Sequence, residues 1–278
     1  MNEAELLFTE VLNCDRMSLY LNPGLHLDAA KRDLISSVLK RRSFGEPIQY
    51  ILGETEFFGL EFKVNPDVFI PRPETEIFVE TVIDIVKAST PPLRAGAGSK
   101  RQSVKALDLG TGSGCIAVSL AKFLPNLEIT ATDISDKAIE IAQSNARLNN
   151  VADRVKFVKS DLFSAFSSNL RAFDMIVSNP PYIPSSEIKN LQSEVKFEPA
   201  MALDGGSDGL DFYRSIISNS PDYLKEGGFL IMEMGFDQKE TIKDIFRASG
   251  DFTIVEIVKD FNSIDRVIVA QARTKWIN

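Results

Sequence analysis

The stretch that decides the fold is Asp108-Leu109-Gly110-Thr111-Gly112-Ser113-Gly114, which follows the apolar run Val104 to Leu109 and precedes a helical segment starting at Cys115. A strand that turns through alternate glycines into a helix lets a ligand approach the backbone closely, because glycine tolerates positive φ and carries no Cβ. The dinucleotide-binding pattern would place its third glycine at position 115, where Cys115 stands, so nicotinamide and flavin cofactors fit poorly. Reading downstream, a strand runs through Ile129 to Thr132 and a helix spans Lys137 to Leu148. Further strands are expected at Val155 to Val158, Asp174 to Ser178 and Phe229 to Met234. The last two, Thr253 to Val258 and Arg266 to Ala270, have a loop between them instead of a helix. This alternation predicts an α/β, doubly wound sheet that ends on an antiparallel pair.

Upstream the pattern changes. From Glu3 to Gly53 apolar residues recur at helical spacing, most clearly Ala30, Leu34, Val38 and Leu39, with Asp28 placed as an N-cap. Lys40, Arg41 and Arg42 close that helix, where cations meet the helix dipole favourably, and read as a solvated C-terminal turn. Leu60, Phe62 and Val64 alternate after Gly59 and predict a small hairpin between Glu54 and Val64 that joins two domains. Ile77 to Val86 is a further helix, and Ser89 to Ser103 reads as an exposed loop. The expected division is a helical domain at 1–53, a hairpin linker at 54–75 and an α/β domain at 76–278.

The chain of 278 residues is 44% hydrophobic, enough for a sizeable core. It has no apolar run of membrane-spanning length, and acids stand near Met1 where a signal peptide would be basic and then apolar. A soluble cytoplasmic protein without membrane attachment is expected. Two distant cysteines, Cys14 and Cys115, and the single His26 provide neither a disulfide framework nor a zinc cluster, so no metal is expected. A net charge of -8 removes the broad basic surface that usually supplies affinity for phosphates, so no direct nucleic-acid binding is expected.

Two further features point to chemistry. Asp133 closes the second strand, where an α/β fold sets an acid against ribose hydroxyls; its structural alternative is an N-cap, a role open equally to Ser135 or Asp136. Asn179-Pro180-Pro181-Tyr182 follows the strand ending at Ser178, at the sheet edge where such folds bind ligands. An amide or adenine NH2 is a poor nucleophile because its lone pair is delocalised. Two acceptors on its hydrogens raise electron density at nitrogen and aim it at a methyl sulfonium. The Asn179 side-chain oxygen and the Pro180 carbonyl can be those acceptors, with rigid prolines behind them and Tyr182 offering a flat face to a planar group.

With these residues in place, the chain resembles the release-factor glutamine methyltransferases over nearly its whole length. Asn-Pro-Pro-Tyr is shared with adenine-N6 methyltransferases and defines only planar-nitrogen chemistry. Glu46-Pro47-Ile48-Gln49-Tyr50-Ile51-Leu52-Gly53, Phe69-Ile70-Pro71-Arg72-Pro73-Glu74-Thr75-Glu76 and Glu198-Pro199-Ala200-Met201-Ala202-Leu203-Asp204-Gly205-Gly206 resemble the family itself. The resemblance implies a class I methyltransferase fold with seven strands, S-adenosyl-L-methionine as cofactor, and methylation of the Gly-Gly-Gln glutamine of peptide chain release factors, recognised through the N-terminal helices. It implies Gly110, Thr111, Gly112, Ser113, Gly114, Asp133, Leu162 and Asn179 as cofactor contacts, Leu162 beside the adenine, and Asn179, Pro180, Pro181 and Tyr182 as the catalytic glutamine site. Asp161 is open to two readings, an adenine contact or a turn cap. Arg72 and Glu74 either gate the site or form a buried ion pair that braces the linker. The alternatives to this function are an adenine-N6 DNA or RNA methyltransferase and a non-catalytic binding module.

Overall fold

The computed structural model describes residues 2–22, 24–89, 103–168 and 171–274. The expected loop from Ser89 to Ser103 falls largely on residues 90–102, outside the described ones. Seven strands form one sheet in the order β5-β4-β3-β6-β7-β9-β8. They are β3 (Val104–Leu109), β4 (Leu127–Asp133), β5 (Val155–Lys159), β6 (Phe173–Ser178), β7 (Leu224–Glu233), β8 (Phe252–Lys259) and β9 (Asp265–Ala272). β3 to β7 pair in parallel, and β9 inserts antiparallel between β7 and β8, the closing pair the sequence predicts.

Strand side chains alternate between two cores, as a sheet covered on both faces requires. Ala106, Ile129, Met175, Ile231 and Val267 face one side, packed with α5 (Glu76–Ser89), α6 (Cys115–Phe123) and α7 (Asp136–Leu148). Leu107, Leu109, Ile176, Leu230, Met232 and Ile268 face the other, under α8 (Asp211–Asn219) and α9 (Lys239–Ser249). The strand order reverses between β3 and β6, and such a switch point leaves a crevice at the carboxyl ends of the strands.

The predicted hairpin is present as β1 (Glu54–Phe57) and β2 (Leu60–Lys63). Phe58 and Gly59 both have positive φ, +52° and +69°, the primed-turn geometry whose twist suits a two-residue hairpin. It is embedded in the larger body. Phe57 and Phe62, 1% and 0% exposed, belong to the core beneath α5. The Asn145 side chain of α7 accepts from the Lys63 N–H at 2.7 Å and donates to the Lys63 carbonyl at 3.0 Å, as in a strand pair.

Among the described residues four helices precede the hairpin: α1 (Glu3–Leu12), α2 (Arg16–Leu21), α3 (Ala29–Ser43) and α4 (Ile48–Leu52). Asp28 caps α3 by accepting from the Lys31 N–H at 2.8 Å. The apolar stripe expected along α3 is out of phase, because Leu34 and Leu39 are 51% and 56% exposed. The inward stripe is Lys31, Ile35, Val38 and Arg42. Arg42 joins it because carboxylates meet it there: Glu3 accepts from its guanidinium at 2.9 Å twice, and Glu194 accepts from the same group. The basic cluster is therefore not simply a solvated turn, since Arg41 also pairs with Glu46. Among the described residues no helix is long and apolar enough to cross a membrane.

Candidate active site

A cavity of about 320 Å³ opens at the carboxyl ends of β3, β4 and β6. Gly110, Thr111, Gly112, Ser113 and Asp133 line one part of it, Leu162 another, and Asn179, Pro180, Pro181 and Tyr182 a third. One space thus collects all the expected site residues except Gly114. At Gly110 and Gly112 φ is +73° and +56°, and an added Cβ would meet no atom within 4 Å. These two glycines serve a turn whose backbone is left open to the cavity. Gly114 answers a different need: a Cβ there would come within 2.9 Å of the Ala142 Cβ, so its absence lets α6 start against α7.

Asp133 ties the second strand to this loop. Its Oδ2 accepts from the Gly112 N–H at 2.9 Å and its Oδ1 from the Ser135 N–H at 2.9 Å. Burial raises its pKa, and those two backbone donors oppose the rise. The cap of α7 is Ser135, which accepts from the Ala138 N–H. On the glycine loop, Thr111 donates to Asp108 Oδ2 at 2.7 Å, while Asp108 Oδ1 is buried with no partner among the described residues. Burial pushes Asp108 up to about 7. Leu162 sits at φ +45° in a turn closed by Ser160 and Ser164: the Ser160 hydroxyl donates to the Leu162 carbonyl at 2.7 Å and Ser164 Oγ accepts from the Asp161 N–H at 3.1 Å. Those serines, not the exposed Asp161 carboxylate, cap the turn.

Asn179 leaves the end of β6 with its amide nitrogen turned to the protein, 3.4 Å from Thr75 Oγ1. The chain beyond it is held tightly. Gln238 donates to the Tyr182 carbonyl at 3.0 Å, and Cβ atoms at Gly205 and Gly235 would strike Tyr182 at 2.8 Å. Ile183 and Leu203 to Gly205 exchange backbone bonds of 3.0 and 2.8 Å. These contacts account for Gly205 of the Leu203-Asp204-Gly205-Gly206 stretch as a packing partner of the Tyr182 backbone, whereas a Cβ at Gly206 would strike the Asp211 carboxylate. Burial raises the Tyr182 hydroxyl to about 12, so it is a neutral phenol.

Arg72 pairs with Glu198, not with Glu74, and its guanidinium lies 4.6 Å from the centre of the Phe69 ring. Glu198 also accepts from the Ile70 N–H at 3.1 Å. The ion pair therefore fastens residues 69–72 to the segment between β6 and α8, both of which line the cavity. Sequence reasoning missed Glu198 as a partner, although it opens one of the family-like stretches. It also missed Glu233, buried beside Asn179 at the end of β7. Among the described residues no group of three His, Cys, Asp or Glu side chains is placed to hold a metal ion.

Residues 1–53 match the PrmC N-terminal domain and residues 93–197 the Methyltransferase small domain. A release factor glutamine methyltransferase of Thermodesulfovibrio yellowstonii is 41% identical over 98% of this chain and 92% of its own length. The Geobacter sulfurreducens protein of that name is 42% identical over 96% and 87%. The chain belongs to the release factor glutamine methyltransferase family. The family's class I fold is also that of the hMettl16 catalytic domain solved in complex with the MAT2A 3'UTR hairpin 6, with a TM-score of 0.61 at 18% identity over 92% of this chain and 95% of that one. At that identity the likeness concerns the fold.

Proposed function

We propose that this chain transfers a methyl group from S-adenosylmethionine to the side-chain amide nitrogen of the glutamine in the Gly-Gly-Gln motif of peptide chain release factors. The observation that carries this reading is the setting of Asn179: its amide nitrogen is engaged by the protein, which leaves its carbonyl oxygen to the cavity it lines. An acceptor held there, with the Pro180 carbonyl beside it, suits a group with two N–H hydrogens to place.

The residues around the cavity fit the cofactor. Gly110 and Gly112 present open backbone, and Asp133, though both its oxygens hold backbone N–H groups, keeps lone pairs for ribose hydroxyls, since a carboxylate has about four acceptor sites. Leu162 and Ile134 give apolar wall. Bound in that cavity, S-adenosylmethionine supplies an electrophilic methyl group on a positively charged sulfur. Asn179 and Pro180 hold the glutamine NH2 by its two hydrogens, so that its nitrogen lone pair lies along the line of displacement. As the new N–C bond forms, nitrogen gains positive charge and its N–H bonds become more acidic, so both contacts strengthen towards the transition state. Transfer of the methyl group breaks its bond to sulfur, whose electron pair stays on the departing S-adenosylhomocysteine, one of the two amide hydrogens is released as a proton to water, and the product is the secondary amide. Tyr182, a neutral phenol on a backbone that cannot shift, bounds the planar amide.

We assign recognition of the release factor to the helices at 1–53, connection to the hairpin segment at 54–75, and cofactor binding and catalysis to 76–278. No nucleic acid takes part directly, and the protein works in the cytoplasm with its two cysteines as free thiols. The test is mass spectrometry of a release factor, its Gly-Gly-Gln peptide and an adenine-containing DNA, each incubated with enzyme and S-adenosylmethionine. One added methyl on the glutamine of the folded factor is the expected result. Comparable incorporation into adenine would replace this function with an adenine-N6 activity.

A further inference from the structure

Glu233 is the last residue of β7, and because Met232 stands opposite Ser178 in the β6–β7 pair, Glu233 lies beside Asn179 at the sheet edge. It is 3% exposed. Its Oε2 has no hydrogen-bond partner among the described residues; the Thr75 hydroxyl and the Asn179 side chain lie close enough to favour its charged form, and the Asn179 amide nitrogen itself meets Thr75 Oγ1 at 3.4 Å. Burying a carboxyl this deeply is costly, and the methyl transfer as derived does not use it.

A side-chain amide has almost the same shape when its oxygen and nitrogen are exchanged, so packing does not choose between the two orientations. Thr75 does not choose either, because a hydroxyl both donates and accepts. A carboxylate only accepts. We propose that Glu233 is a positioning residue for Asn179: its acceptor-only carboxylate at the buried end of the amide admits the Asn179 nitrogen and so keeps the Asn179 oxygen on the substrate side. This rests on Asn179 being the acceptor for the substrate NH2. In the exchanged orientation two NH2 groups would face each other, and the substrate would lose that acceptor.

Protonation removes the selection, because a carboxylic acid can donate to the Asn179 oxygen. Burial pushes Glu233 up to about 7. The other groups that act on it or feel its charge are Arg266 on β9 and Glu74 before α5, together with Tyr182, Tyr213 on α8 and Cys115 on α6. Arg266 favours the carboxylate and Glu74 opposes it. Turnover should therefore rise with pH through about 7.

The test compares full-length wild type with Glu233→Gln, which keeps the shape, and Glu233→Leu, which removes every acceptor. With saturating release factor, kcat should fall about tenfold for Gln and about a hundredfold for Leu, with cofactor Kd and the KM for release factor within about twofold of wild type. The rise in kcat near pH 7 should vanish in Glu233→Gln. Independently of any substrate, the side-chain amide resonances of Asn179, assigned by their loss in Asn179→Ala, should titrate near pH 7 in wild type and stay fixed in Glu233→Gln. A folded Glu233→Gln enzyme with wild-type kcat and pH profile overturns the proposal, as do Asn179 resonances that ignore pH in wild type. If wild type leaves the release factor unmethylated, the functional reading fails, and the resonances alone decide the role of Glu233.

Discussion

Replacing Asp133 separates its structural role from the cofactor contact proposed for it. In the protein as it stands, both carboxylate oxygens accept backbone N–H groups at 2.9 Å, one from the glycine loop and one from the start of α7. Alanine removes both, and hydrogen bonds to a charged group contribute about 1.5–3 kcal/mol each at a well-desolvated site. Asp133 is only partly buried. A loss of about 3 kcal/mol is therefore the reasonable sum, which in a chain of this size lowers Tm by about 6–12 °C. Asparagine is no milder in kind: both neighbours are donors, its single oxygen satisfies one, and its NH2 must face the other. Cofactor affinity should fall in addition, by tenfold to over a hundredfold, because ribose hydroxyls lose a charged acceptor and Gly112 loses its anchor. Differential scanning calorimetry reads the first effect and titration calorimetry with S-adenosylmethionine the second. An Asp133→Ala protein with wild-type Tm would refute the structural half, and one with wild-type Kd would remove Asp133 from the cofactor site.

Asn179→Ala should leave cofactor affinity nearly intact and lower kcat by roughly a hundredfold, as expected of a positioned polar group most valuable in the transition state; single-turnover rates near wild type would contradict this. Asp108 and Glu233, both raised to about 7 by burial, stay protonated in the folded state to higher pH than in the unfolded chain. Their contribution to stability is complete below about pH 4 and is lost as pH rises to about 7, at about 1.4 kcal/mol per pH unit for each group, then levels off. Urea denaturation from pH 5 to 8 should show that decline, and Glu233→Gln should make it shallower. Deleting residues 1–46, which spares Tyr50 and its bond of 2.5 Å to the Val68 carbonyl, should preserve S-adenosylmethionine binding while abolishing the preference for folded release factor over peptide. A retained preference would move recognition elsewhere.

The sheet was legible because its signals are local and repeated. Each parallel strand is a short apolar run, and each glycine, aspartate or proline punctuation falls at its carboxyl end, where the ligand edge must be. The phase of α3 was not legible from hydrophobicity. A helix presents two candidate faces when leucines lie on both sides of it, and the inner face was chosen here by Arg42, whose partners Glu3 and Glu194 are 39 and 152 residues away in the chain. The same limit applied to Arg72. A basic and an acidic residue two positions apart invite pairing on paper, yet the extended backbone at Arg72 and the turn that follows direct the guanidinium to Glu198, 126 residues further on.

These two long-range arginine pairs tie the helices and the linker to the wall of the cavity, and so bear on the proposed division between recognition and chemistry. Both Glu194 and Glu198 lie in the segment between β6 and α8, which also supplies Leu191, Val195 and Met201 to the cavity wall. Arg42 grips that segment from the helical unit, and Gly45 packs so closely on Ser193 that a Cβ would come within 3.0 Å. Arg72 grips it from the stretch that follows the hairpin. The wall of the cavity is thus suspended between the helices and the linker. In the proposed reaction Asn179 and Pro180 present only two acceptors to a planar NH2, which glutamine and adenine both offer, so discrimination there must come from surfaces beyond them. A partner bound on the helices would bear on the cavity wall through Arg42 and Gly45, contacts that neither a short peptide nor a bare nucleobase would engage.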